Sequence, residues 1–84
     1  MFTVYVIQSN TTGKLYIGQT ENFEKRLQQH NDKNFDKRAY TKLNGTEWLL
    51  VYEEIFNTRE EAIRREKELK SYRGREFIKS KLGR

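Results

Sequence analysis

The chain has 84 residues, 35% of them hydrophobic, 35% charged and 13% aromatic, which suffices for one modest core but not for two. The absence of cysteine excludes disulfides and thiolate metal sites, and no segment approaches the roughly 20 apolar residues of a membrane span. The first residues, MFTVYVIQS, contain no basic leader. We therefore expect a single domain over residues 1–84, located in the cytoplasm and making no membrane contact.

The net charge of +5 lies entirely in the last third of the chain. Residues 1–58 carry seven Lys or Arg against seven Asp or Glu, whereas residues 59–84 carry ten against five. A basic segment of this kind suits a phosphate backbone, because neutralising phosphates releases counterions. It is equally compatible with a solvated helix stabilised by i,i+4 ion pairs such as Glu60 with Arg64.

The chain opens with a predicted β-hairpin. Residues 3–8 (TVYVIQ) and 14–19 (KLYIGQ) are rich in β-branched and aromatic residues, and residues 9–13 (SNTTG) between them form a dense turn signal. A helix is predicted to begin near Asn22 or Phe23, with Thr20 or Asn22 as its cap, and to run to about Asn31. Residues 32–46 are polar, and we predict no regular element there.

The second half predicts one strand and two helices. Residues 48–56 (WLLVYEEIF) form the third strand, and the Thr-x-x-Glu pattern at Thr58 predicts the start of a helix to about Tyr72. Gly74 is expected to interrupt the chain before a short final helix over residues 76–81. The order β-β-α-β-α-α predicts an α+β fold, a three-stranded antiparallel sheet flanked by helices.

Glu66 is the first candidate for chemistry. On the second helix it falls within the apolar stripe predicted for Ala62, Ile63 and Leu69. A carboxylate in that position needs compensation. Helix geometry leaves two readings open, a salt bridge to Arg26 or Arg65, and a metal ligand.

Arg26 and His30 lie one turn apart on the first helix, beside the apolar pair Phe23 and Leu27. Taken singly, the histidine suits a cap or surface position, and the aliphatic stem of the arginine would cover part of the core. Taken together, they form a short cationic edge suited to a phosphate.

Two tyrosines and a glycine lie in the hairpin. If the turn places Tyr5 opposite Tyr16, both rings share one face, and Gly18 leaves an unfilled space beside them. Core or platform roles for the tyrosines, and a bulge or close-packing role for Gly18, are the alternative interpretation.

These residues, in this order, resemble the GIY-YIG nuclease domain. The resemblance is carried by Thr3-Val4-Tyr5, Tyr16-Ile17-Gly18, Arg26 followed by His30-Asn31, and a long helix bearing Glu66. It covers nearly the whole chain and is greatest to the small stand-alone bacterial members, which are related to the N-terminal domain of excinuclease C. The family often has glycine where this chain has Thr3, and several members have an asparagine after the glutamate helix, whereas no Asn follows Asn57 here; Lys70 or Ser71 would take part of its role.

The resemblance implies a metal-dependent endonuclease acting on DNA, with repair or the processing of branched DNA as its setting. Glu66 would hold Mg²⁺ or Mn²⁺, Arg26 would neutralise the phosphoryl group, and Tyr5 or Tyr16 would deprotonate the attacking water with help from His30. We take Tyr5 as the base, with its phenol pKa lowered by Arg26 and the metal.

Substrate contacts are expected from Gly18, Arg38, Tyr40, Lys42 and Lys70. Because the chain has no room for a second domain, we expect any specificity to come from the domain itself or from a protein partner; having no specificity is the remaining alternative. The rival hypothesis is a non-catalytic nucleic-acid-binding or adaptor domain of the same fold, which would use the same basic and aromatic residues without a metal.

Overall fold

Three strands and three helices follow one another in the computed structural model, which describes residues 1–32 and 47–83. They are strand β1 (Phe2–Ser9), strand β2 (Leu15–Thr20), helix α1 (Phe23–Asn31), strand β3 (Trp48–Phe56), helix α2 (Arg59–Lys70) and helix α3 (Tyr72–Lys81). The predicted α+β fold and its element order are confirmed. Of the helices in the described ranges, none combines the length and the apolar character needed to cross a bilayer.

The sheet is antiparallel with the strand order β2-β1-β3, so the first strand of the chain is the central one. The expected register was wrong by two residues: Tyr5 lies opposite Gly18, and Tyr16 lies opposite Ile7. Because side chains alternate with a period of two, a shift of two keeps both tyrosines on one face.

Helices cover both faces of the sheet. One face packs against α2 and α3 through the buried residues Val4, Val6, Ile17, Ala62, Leu69 and Ile78. The other face packs against α1 through Tyr5, Ile7 and Trp48, with Tyr16, Phe23 and Leu27 around them. The alternation of side chains along β1 thus divides the core into two layers.

Two asparagines fix helix α1. The Asn22 side chain accepts a hydrogen bond from the Lys25 backbone N–H at 3.1 Å and caps the first turn, as expected. At the other end, the Asn31 side chain accepts from the Trp48 backbone N–H at 2.7 Å and donates to the Trp48 carbonyl at 3.1 Å. These two bonds hold the C-terminal end of α1 against β3.

The junction of α2 and α3 differs from the prediction. Helix α2 ends at Lys70, and α3 begins at Tyr72, so Gly74 lies in the first turn of α3 and does not interrupt it. Gly74 is buried there, and a Cβ atom at this position would collide with the backbone of Glu68 and Leu69. The glycine allows the two helices to approach closely.

Candidate active site

A buried tyrosine–histidine pair forms the centre of the site. The Tyr5 hydroxyl lies 3.0 Å from His30 Nε2, and the two residues are only 1% and 6% exposed. Tyr5 projects from the central strand, and His30 lies in the last turn of α1. The hydrogen bond joins the sheet to α1. It also satisfies the Tyr5 hydroxyl, because a buried hydroxyl needs a hydrogen-bond partner.

Tyr16 extends this cluster towards solvent. Its ring centroid lies 4.8 Å from that of His30 and 6.3 Å from that of Tyr5. The ring of Phe23 lies 5.3 Å from Tyr5 and covers its inner side. Tyr16 is half-buried, so it is the more accessible of the two tyrosines.

Gly18 is required by the Tyr5 ring. A Cβ atom on Gly18 would lie 2.6 Å from the Tyr5 hydroxyl oxygen, 2.8 Å from its Cζ and 3.1 Å from Cε1 of Tyr16. The expected empty space beside Gly18 is therefore filled by the phenol. Because β2 is an edge strand, this arrangement carries the Tyr5 hydroxyl from the central strand out over the edge of the sheet.

Burial and the Arg26 cation act in opposite directions on the Tyr5 pKa. Burial raises this pKa to about 12, Tyr16 and then Glu66 add smaller increases, and hydrogen bonding and charge from Arg26 lower it. Arg26 lowers this pKa as expected, but burial outweighs the cation, so the Tyr5 pKa is raised overall and not lowered. Burial also lowers the Arg26 pKa, but hydrogen bonding and charge from the phenols of Tyr5 and Tyr16 raise it by more. The guanidinium therefore stays charged beside both tyrosines.

Glu66 forms neither of the expected salt bridges. Its carboxylate pairs with Lys70 at 2.7 Å within α2, and Arg65 instead binds Glu54 of β3 through two hydrogen bonds of 2.9 and 3.0 Å. The Glu66 side chain is 21% exposed, and its charge acts on the Tyr5 hydroxyl although α2 packs on the other face of the sheet. Ile63, expected in the same apolar stripe, is exposed.

A comparison with known families identifies the domain. The family model described as the GIY-YIG catalytic domain matches residues 1–79. The chain belongs to the GIY-YIG family of nucleases. Domains of this family act on DNA.

Small proteins of staphylococci resemble this GIY-YIG domain along most of its length. The UPF0213 protein of Staphylococcus saprophyticus is 36% identical over 76 residues, which is 90% of this chain and 88% of the relative. The UPF0213 protein of Staphylococcus haemolyticus is 37% identical with the same coverage. That of Staphylococcus aureus is 36% identical over 69 residues, 82% of this chain and 79% of the relative. No solved structure matches the chain.

The donor set of the GIY-YIG site suits a hard cation held loosely. Within the described ranges, no group of three or more His, Asp or Glu side chains is placed to enclose a metal ion. Mg²⁺ keeps several waters and is commonly bound by one or two carboxylates together with substrate phosphates. A single carboxylate, that of Glu66, is compatible with this mode of binding.

Two features of the GIY-YIG domain were missed or only partly found by sequence reasoning. Asn31 follows His30 directly, and its two bonds to Trp48 position the helix that carries Arg26 and His30.

The second feature is a groove of about 600 Å³ that runs beside Tyr16, here called the basic groove. It is lined by Lys14, Leu15, Tyr16, Ile17, Lys70, Arg75, Ile78 and Lys79. Lys70 was predicted, whereas Lys14 was not. Arg38, Tyr40 and Lys42 lie outside the described residues.

Proposed function

We propose that this GIY-YIG domain is an endonuclease that hydrolyses phosphodiester bonds in DNA with Mg²⁺ or Mn²⁺. The observation that carries the proposal is the convergence of Tyr5, Tyr16, Arg26 and His30, which come from three elements and form one cluster beside the sheet edge. Phenols, an imidazole and a charged guanidinium in contact suit proton transfer next to a phosphate. Branched DNA of the kind processed in repair is the substrate class that we would test first.

Arg26 is proposed to bind the phosphoryl oxygens. Its guanidinium remains charged beside the two phenols, and its Nη1 donates to Gln29 Oε1 at 3.0 Å, which restricts the side chain. A positioned guanidinium can bind two oxygens at once and stabilises charge that develops during phosphoryl transfer.

Tyr16 is proposed as the phenol that orients and deprotonates the attacking water, in place of Tyr5. Two observations favour this assignment: Tyr5 is only 1% exposed, and burial raises its pKa to about 12. Tyr16 is half-buried, and its ring lies 4.8 Å from that of His30, the residue that we propose to assist it. Tyr5 then has a positioning role, because its hydroxyl holds the His30 ring by a bond of 3.0 Å.

Glu66 is proposed to hold the cation. A bound Mg²⁺ or Mn²⁺ would supply charge stabilisation to the scissile phosphate and the leaving oxygen. The ion pair between Glu66 and Lys70 does not oppose this strongly, because Lys70 is 52% exposed and i,i+4 pairs of this kind contribute only about 0.3–0.5 kcal/mol.

The decisive test compares two matched glutamates of α2. Supercoiled plasmid and flapped DNA are incubated with Mn²⁺ or Mg²⁺ and the wild type, Glu66→Gln or Glu60→Gln; Glu60 is an exposed carboxylate in the first turn of the same helix. Glu66→Gln should abolish nicking, and Glu60→Gln should cut like the wild type. Equal cutting by the wild type and Glu66→Gln on every substrate would overturn the proposal. Retained DNA binding without any cutting would support the adaptor hypothesis instead.

A further inference from the structure

The basic groove borders the cluster of tyrosines but is distinct from it. It runs between β2 and α3, and it shares only Tyr16 with the candidate catalytic residues. Its volume is about 600 Å³. A ligand lying in this groove would contact Tyr16 at one side.

Four cations line the basic groove, and they come from separate parts of the fold. Lys14 precedes β2, Lys70 ends α2, and Arg75 and Lys79 lie one turn apart on α3. Two of these cations pair with acids: Lys70 pairs with Glu66, and Lys79 lies 4.0 Å from Glu76 with both side chains about half exposed. Because a long, exposed pair contributes little, Lys79 remains available to a phosphate.

Arg75 is the most informative of these cations. It is exposed, and it has no ion-pair partner within residues 1–32 and 47–83. The described contacts therefore give Arg75 no role in stabilising the fold. Its planar guanidinium is suited to a phosphate.

The remaining lining is apolar. Leu15 and the Tyr16 ring are the partly exposed members of this part, and Ile17 and Ile78 belong to the buried core beneath them. A chain of sugars and phosphates matches both features, because phosphates contact the cations while sugar and base surfaces contact Leu15 and Tyr16. A free small anion would use only the cations.

We infer that the basic groove binds the stretch of nucleic-acid backbone next to the phosphate that is cut, with Lys14, Arg75 and Lys79 as its phosphate contacts. The inference rests on the proposed function, since it places the substrate beside Tyr16. It assigns a substrate-binding role to one side of α3 and to the turn residue Lys14.

Helix α3 offers a matched control for this assignment. Residues two apart on a helix point in nearly opposite directions, about 200° from each other. Arg73 is exposed like Arg75 and lies on the same helix, but it does not line the groove. Removing either arginine changes the net charge equally.

The experiment measures binding without cutting. Labelled flapped DNA is titrated with Glu66→Gln protein in EDTA at several salt concentrations, and Arg73→Ala, Arg75→Ala or Lys79→Ala is added to that background. Arg75→Ala and Lys79→Ala should each weaken binding and reduce the slope of log affinity against log salt by about one, as expected for a lost phosphate contact. Arg73→Ala should leave the slope unchanged.

The results separate the two proposals. Equal effects of Arg73→Ala and Arg75→Ala, or no effect of Arg75→Ala and Lys79→Ala, would overturn the groove assignment even if the wild type cuts DNA. If binding is lost only in the groove variants and the wild type does not cut DNA, the groove assignment is supported and the proposed nuclease activity is overturned. Circular dichroism checks that the variants are folded, and all three side chains are exposed.

Discussion

Tyr5 and His30 form a buried pair, with 3.0 Å between the hydroxyl oxygen and Nε2, and this contact links the central strand to the only histidine of the chain. Tyr5 donates when His30 carries its proton on Nδ1 and accepts when the proton is on Nε2. In either case the neutral phenol is favoured, since burial raises its pKa to about 12. Both residues of the pair are buried, so solvent has little access to it.

The raised Tyr5 pKa predicts a loss of stability at high pH. The folded protein keeps the Tyr5 proton up to a pKa of about 12, whereas the unfolded chain releases it near 10. The stability that Tyr5 gains from its raised pKa is therefore fully present below about pH 10. It is lost as the pH rises to about 12, which lowers the free energy of unfolding by about 2–3 kcal/mol.

Urea unfolding at several pH values tests this prediction. Tyr5→Phe should have a shallower alkaline decline than the wild type, although Tyr52, whose pKa burial also raises, keeps part of it. Tyr72→Phe is the control, because Tyr72 is 78% exposed and should decline like the wild type. Identical curves for Tyr5→Phe and the wild type would contradict the assignment.

Gly18→Ala should destabilise the protein by about 1–3 kcal/mol, because the new methyl group has no room. It would lie 2.6 Å from the Tyr5 hydroxyl oxygen, so the phenol must leave the position in which it bonds to His30. Thermal or urea unfolding measures the cost. In a Tyr5→Leu background the cost should fall by at least about half. An unchanged cost would mean that the strand itself, and not Tyr5, requires the glycine.

Asn31→Ala should lower the free energy of unfolding by about 1–3 kcal/mol, because it leaves the N–H and C=O of the buried Trp48 without the Asn31 side chain. Urea unfolding checks the value. Gln28→Ala, an exposed change on the same helix, should cost less than about 0.5 kcal/mol. Similar losses for both variants would show that the Asn31 bonds do not anchor α1.

Lys70→Met should tighten Mn²⁺ binding by about twofold, because it removes the cation that pairs with Glu66 at 2.7 Å. Mn²⁺ titration of the protein without DNA, followed by electron paramagnetic resonance, measures this directly. Lys67→Met removes an exposed lysine of the same helix and should change binding less. Mn²⁺ binding that is equally strong in wild type, Lys70→Met and Glu66→Gln would exclude Glu66 as the ligand.

The elements of this GIY-YIG domain follow from its local sequence. The Asn22 cap, the bounds of the third strand at Trp48–Phe56 and the Thr58 cap agree with the structure. Each depends on neighbours within a few residues, such as a side chain that accepts from a backbone N–H three positions later. The pairing of Phe23 with Leu27 against the sheet likewise follows from helical spacing.

The partners of the charged and polar side chains were decided only by the tertiary structure. Helical position identified Glu66 as unusual, but the choice of Glu54 by Arg65 depends on how α2 lies across β3. The sequence likewise determined that Tyr5 and Tyr16 share a face, while the register set by the hairpin placed Gly18 beneath the Tyr5 ring. Local spacing specifies which face a side chain occupies, whereas burial, and with it the high pKa of Tyr5, depends on contacts between residues far apart in the chain.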